Sequence, residues 1–295
     1  MAAAKKPHPE ETKELVPATP LSVIQAELPE FMRDEAVRGT EGLESTDLEI
    51  PRLKLIQSTS PEVTERDDVR AGQFWHVAEE HAFKGPFLVT PILVDRRYTL
   101  WRPLEDGGGI LARADDGSHW TPSHGEFTVK LDKKDGGHTV VWKMAPTVKE
   151  SGLGEWGTMN PSDSNSPPAA TISYNFLVAF PEHLDLSPAV LSFQRSSVKV
   201  GRQFNTKLRV SRAPIFGTVW QLAVVEDHNN AGQKFYNIRL TGAGMIGDKA
   251  LYDQYKLLHQ AYSKTGLRIR DDQDLQYEGD IAGSAEDATA GKHSY

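Results

Sequence analysis

The chain has 295 residues, of which 38% are hydrophobic and 25% charged, with no cysteine and a formal net charge of −8. That length holds one large or two ordinary domains, and the low apolar fraction leaves part of the chain outside any packed core. Zero cysteines exclude disulfides, thiolate metal sites and cysteine nucleophiles, and no apolar run is long enough to span a membrane.

The first residues, MAAAKKPHPEETKELVP, lack the apolar stretch of a secretory signal. With the absence of cysteine, this points to a reducing compartment, the cytoplasm. Residues 1–49 read as a flexible acidic segment with one short helix at Pro20–Arg33, where Leu21, Ile24, Leu28 and Phe31 are spaced for one face. The polar run RGTEGLESTDLE then leads into IPRLKLIQ, where an ordered core spanning 50–270 is expected to begin.

From there to about residue 245, short bursts of β-forming residues alternate with Gly, Pro, Asn and Asp. The bursts are GQFWHV (72–77), FLVTPILV (87–94), RYTLWRP (97–103), GILARA (109–114) and EFTVKL (126–131). They continue with HTVVWKM (138–144), TISYNFLVAF (171–180), AVLSFQ (189–194), FGTVWQLAVVED (216–227) and KFYNIRLTGAGMI (234–246). KKDGG at 133–137 and DHNNAGQ at 227–233 each mark a hairpin turn. The stretch 151–170 is rich in Gly, Pro and Ser and reads as a long loop. A closing helix is expected at 248–264, with Leu251, Tyr255, Leu258 and Tyr262 on one face, Asp248 as cap and Gly266 as stop. The expected fold is mostly β, a barrel or sandwich such as an oligonucleotide-binding (OB-like) barrel enlarged by hairpins, with that helix at its end. Residues 271–295 read as a disordered acidic tail.

The distribution of charge is more informative than its sum. Residues 1–50 carry −6 and residues 271–295 carry −6, which leaves +4 for the core. Between Asp185 and Glu226 there is no acid, yet Arg195, Lys199, Arg202, Lys207, Arg209 and Arg212 fall there. Phe193, Phe204, Phe216 and Trp220 are interleaved with them. Cations that follow phosphates and rings on which bases stack are the two ingredients of single-strand binding. The bland alternative is a solvated charged face over ordinary core aromatics, since strand alternation turns half of such side chains inward. A second patch, DRRYTLWRP, sets Arg96, Arg97 and Arg102 beside Tyr98 and Trp101, and Arg52 and Lys54 could extend a groove. The acidic tail could compete for such a groove and recruit partner proteins, or simply keep the chain soluble.

Signatures of catalysis are missing. The histidines near Glu79, Glu80 and Glu126 have no metal-ligand spacing, and the glycines at 107–109 and 242–244 lack the setting of a phosphate loop. No enzyme, cofactor or metal site is therefore expected.

IPRLKLIQSTSPEV at 50–63, the Gly-Gln-Phe strand start after it, ESGLGEWGTMNPSDSNSPPAA and LSPAVLSFQRSSVKVGRQFN carry a resemblance over residues 50 to about 245. In these segments the chain resembles a family of tailed-bacteriophage proteins. The resemblance implies a phage origin and a gene of DNA metabolism, and supplies no catalytic residue. The reading that follows is a sequence-tolerant single-stranded DNA-binding protein of a replication or recombination module. It would act in the host cytoplasm, with phage replication proteins as partners of the tail. The alternatives are a virion head or tail component and, last, a nuclease.

Overall fold

A computed structural model describes residues 50–267, apart from 104–105, 132–136, 229–231 and 233. The N-terminal segment 1–49, with its expected helix, and the tail 271–295 lie outside the described residues. Strand β1 (Leu53–Leu55), β2 (Phe74–His76) and β3 (His81–Phe83) form a small antiparallel sheet, with helical turn α1 (Glu62–Glu65) between the first two. The long β4 (Phe87–Trp101) follows, then β5 (Ile110–Ala114), the hairpin β6 (Gly125–Lys130) and β7 (Thr139–Met144), and turn α2 (Val148–Ser151). After it come β8 (Ala170–Ala179), β9 (Ala189–Gln194), helix α3 (Val198–Val210), β10 (Thr218–His228), β11 (Lys234–Met245) and helix α4 (Lys249–Thr265).

The main sheet runs β11-β10-β4-β8-β9, with β5 also paired to β4, and every pairing is antiparallel. The mostly β architecture and the C-terminal helix agree with the sequence reading, as do both hairpins. The expected barrel does not close: among the described residues, no ladder joins β9 to β11, so the sheet stays open.

Two of the expected strands, at 87–94 and 97–103, are one. β4 carries Pro91 in its interior, where the register against β8 shifts, so the missing N–H falls at an irregularity of the ladder. Its first half pairs with β10 and β8 over the main core; its second half pairs with β5 and carries a second core that holds Trp120 and Trp142. The loop at 151–170 opens with the α2 turn, which Thr147 and Glu150 cap reciprocally. Its remainder is cross-tied by the Gly157 N–H to the Ser166 carbonyl at 2.7 Å and the Met159 N–H to the Pro167 carbonyl at 3.2 Å.

Helix α4 forms as its spacing predicts. The Asp248 carboxylate accepts from the N–H groups of Ala250 (2.7 Å) and Leu251 (3.5 Å), which leaves fewer first-turn donors without a partner. Leu251, Tyr255, Leu258 and Tyr262 then cover a third core on the sheet. The His259 Nδ1–H donates to the Ile92 carbonyl of β4 at 2.7 Å and fixes the helix in place.

The principal departure from the sequence reading lies at 198–210. The acid-free stretch between Asp185 and Glu226 reads as lying among strands, but its middle, Val198–Val210, is helix α3. Val198, Val200, Thr206 and Val210 are poor helix formers, and no acid sits in the first turn. Tertiary packing overrides them: Gly201, Phe204 and Leu208 make a buried stripe at helical spacing. The Phe204 ring meets Phe176 at 4.8 Å, Trp220 at 5.1 Å and Phe193 at 6.4 Å. Gly201 lets the helix come that close, because a Cβ there would stand 2.8 Å from the Phe193 Cβ and 3.2 Å from Tyr174 Cδ2. Gly201→Val should lower stability by about 1–3 kcal/mol, read from urea denaturation. An unchanged midpoint would show that α3 does not depend on this close approach.

His76 is fully buried. With the Ser187 carbonyl as acceptor, its Nε2–H donates at 2.8 Å, and its Nδ1 accepts from the Glu79 N–H at 3.2 Å. Both partners therefore require the neutral ring, and burial holds the His76 pKa below its ordinary 6.5. Burial, followed by the neighbouring His183, lowers His81 as well. With folded pKa values below the unfolded ones, the unfolded chain binds more protons as pH falls through 6.5. Stability is expected to be full above that pH and to decline below it. Denaturation midpoints at pH 7.5 and 5.5 should differ in the native protein and differ less in His76→Gln; identical slopes would remove His76 as a cause.

Candidate nucleic-acid interface

A cleft of about 710 Å³ opens between β1, the turn after it, the end of β9 and the start of β11. Strand alternation builds its first wall. Leu53 and Leu55 turn into the main core, which leaves Arg52 and Lys54 on the opposite side. The hydroxyl-bearing turn Ser58–Ser60 continues this wall, and Ser192, Ser196 and Ser197 stand in the lining with it.

Arg195 enters from the turn that joins β9 to α3. The Gln194 N–H donates to Ser197 Oγ at 2.9 Å, and this hydroxyl donates to the Gln194 carbonyl at 2.8 Å. Closing the chain this tightly puts Arg195 at φ 51°, a left-handed conformation that suits glycine. Lys234 and Tyr236 come from β11, where they extend the row of Ile238 and Leu240 past the end of the core.

The lining thus holds four cations, Arg52, Lys54, Arg195 and Lys234, and one acid, Glu62. Lys54 pairs with Glu62 at 3.0 Å, and Lys234 pairs with Glu226 at 2.5 Å. Burial pushes the Glu62 carboxyl up, but its backbone hydrogen bond and the Lys54 ammonium outweigh this and hold it below its usual range. The hydrogen bond that the Lys234 ammonium donates to Glu226 raises its pKa above the ordinary value. Both ions therefore stay charged at neutral pH, and among the described residues that line the cleft the cations outnumber the acids.

A smaller hollow of about 250 Å³ adjoins the cleft and shares Asn237 and Ile238 with it. Lys207 and Arg239 line it, and the Lys207 ammonium donates to the Leu240 carbonyl at 3.1 Å. The other cations of α3 point elsewhere. At roughly 100° per residue, Arg202 and Arg209 project about 140–160° away from Lys207, and Lys199 about 80° away. Arg212 lies past the helix end in a left-handed conformation, φ 55°. The basic stretch is therefore not one track: Arg195 lines the cleft, Lys207 the hollow, and Lys199, Arg202, Arg209 and Arg212 lie outside both.

The rings expected to stack on bases are core residues. Phe193, Phe204 and Trp220 are 0%, 1% and 8% exposed, and Phe216 packs in the core under α4 against Tyr252 and His259. Phe204 is consequently corrected from a base-stacking candidate to the anchor of α3. The second patch splits as well, because neighbouring residues of a strand face opposite sides. Arg96 lies over the Tyr98 ring at 5.6 Å and donates to the Gly117 carbonyl at 2.9 Å, whereas Arg97 pairs with Asp115 at 2.8 Å. Trp101 is half-buried at the far end of β4. Arg97 pairs across the sheet with Ser173, and Ser173 with Gln194, so it stands two strand spacings, roughly 10 Å, from the cleft wall.

Sequence reasoning missed Lys234, Tyr236 and Arg239. The alternation of KFYNIRL was legible, but the partner of Tyr236 is Gln57, 179 residues away, and no local pattern signals such a contact. Trp156, 71% exposed on the cross-tied loop, was missed too. Among the described residues, no group of His, Asp and Glu comes together that could hold a metal. Because Arg195 is left-handed, Arg195→Gly should be more stable than Arg195→Ala by about 1 kcal/mol, the reverse of the order inside a helix. Urea denaturation of the two variants measures this, and equal stabilities would mean that the turn stores no such strain.

Comparison with known proteins gives one family and no individual relative. No curated protein matches the chain, and no solved structure does. The sequence model of the family described as Pam3 phage gp34-like protein matches residues 22–267, which takes in both halves of β4, the cleft and α4. The match covers well over half of the sequence and agrees with the phage origin that the resemblance implied. The chain belongs to the Pam3 phage gp34-like protein family.

Proposed function

We propose that this phage protein binds single-stranded DNA with little regard to sequence, as part of a replication or recombination module. The strand's phosphates would lie along Arg52, Lys54, Arg195 and Lys234. The observation that carries the reading is the convergence of these four cations, from three separate segments, on one cleft with a single lining acid. Serine and threonine hydroxyls beside them supply neutral phosphate donors. A recess suits a single strand, whereas reading a duplex calls for a protruding helix or ribbon that enters a groove. On this reading the protein is a binding protein of the host cytoplasm, with no cofactor and no catalytic step. The acidic segment 271–295, seven acids against one lysine, is the part proposed to meet phage replication proteins.

A virion component is the second reading, and Trp156 favours it. A tryptophan 71% exposed on an ordered loop is the kind of residue that a protein partner buries.

The test is titration of the full chain with an oligonucleotide of about 30 bases at several salt concentrations, with duplex as comparison. Single strands should bind more tightly, and the logarithm of affinity should fall linearly with the logarithm of salt. Arg195→Ala, Lys54→Ala and Lys234→Ala should each weaken binding and reduce that slope by about 0.7. Lys199→Ala, outside the cleft, should change both less. Absence of binding at low salt overturns the proposal, and stoichiometric protein in purified virions would then put the second reading in its place.

A further inference from the structure

Tyr236 is held in place from three directions. Its backbone is clamped by one side chain: the Gln57 amide donates to the Tyr236 carbonyl at 2.9 Å, and the Tyr236 N–H donates back to Gln57 Oε1 at 2.9 Å. This two-way pairing imitates one step of a β-ladder on the outer edge of β11. One side of the ring lies on Gly72, where a Cβ would stand only 2.8 Å from Tyr236 Cε1. Gly72 also has φ +82°, so a side chain there is opposed by backbone conformation as well as by space. The Lys234 ammonium lies over the ring at 5.5 Å. The ring itself is half-buried and borders the cleft, beside the cations that would hold phosphates.

A core tyrosine needs packing, and a loose surface tyrosine has no such support. Tyr236 has the support of the first and the position of the second. We propose that Tyr236 is the platform on which a nucleobase of the bound strand stacks, and that Gln57 and Gly72 are its positioning residues. This rests on the single-strand reading of the cleft and narrows its ligand to polyanions that carry bases, as opposed to any polyanion. The arriving base replaces the Lys234 ammonium over the ring, and this cation moves to a backbone phosphate. An aromatic platform tolerates any base, because every base has a π-face.

The experiment compares two probes on the full chain, an oligodeoxythymidylate and an abasic strand with the same number of phosphates. The native protein should prefer the base-bearing strand by about tenfold, the scale of one stacked base. Tyr236→Leu should lose that preference yet bind the abasic strand as before, with the same salt slope, and Tyr236→Phe should restore it. Gln57→Leu should reduce the preference in part, which a purely structural role would not do selectively. Thermal melts of each variant separate loss of fold from loss of the platform. If Tyr236→Leu keeps the preference, or the native protein has none while still binding both strands through Arg195 and Lys54, the platform is refuted and the cleft stands. If neither strand binds, the cleft reading fails and takes the platform with it.

Discussion

The aromatic contact at Phe204 is the constraint from which the shape of the protein follows. Its ring touches Phe176 of β8, Phe193 of β9 and Trp220 of β10, three strands of one sheet. That single ring is buried among all three strands, and α3 also contacts β11. Both edge strands of this open sheet, β9 and β11, contact the same small element, β1. Arg52 bridges to Val190 on one edge, and Gln57 pairs with Tyr236 on the other. The cleft is the space left where those edges approach without joining.

This arrangement separates stability from recognition. Residues 53, 55, 191, 193, 238 and 240 turn their side chains to the main core and hold the walls. Their neighbours on the same elements carry charge and hydroxyl groups to the cleft. A surface ion pair adds little stability, so the pairs Lys54–Glu62 and Lys234–Glu226 matter more as a means of holding cations in place than as cross-links. Among the described residues, Glu62 and Glu226 stand beside four cations and lessen the self-repulsion that bare lysines and arginines would create. The opposite sign of both terminal segments means that the chain as a whole is acidic while this face is not.

Much of the fold was legible from local patterns. Alternation in EFTVKL, HTVVWKM and FYNIRL marks strands because a pleated strand buries every second residue, and this property is local. Asp248, the four-three-four spacing from Leu251 to Tyr262 and Gly266 describe α4 for the same kind of reason. Helix α3 was illegible because its propensities oppose its structure. The stripe of Gly201, Phe204 and Leu208 is only three residues long, and six nearby cations drew the reading toward surface chemistry. The same rings that suggested base stacking turned out to be the reason that the helix exists.

By itself, the sequence determined the mostly β character, the two hairpin pairings, the closing helix, the phage origin and the presence of a basic core between acidic ends. Each of these depends on composition or on residues within a few positions of one another. Tertiary structure alone decided which cations share a site. Arg52, Arg195 and Lys234 are far apart in sequence and meet because both edge strands of the sheet come to β1. It also decided which rings are free to act, since burial depends on what packs above a residue and not on the residue's own type. Phe204 and Tyr236 are both aromatic residues near basic ones, and only the fold puts the first on the buried face of a helix and the second at the rim of a cleft.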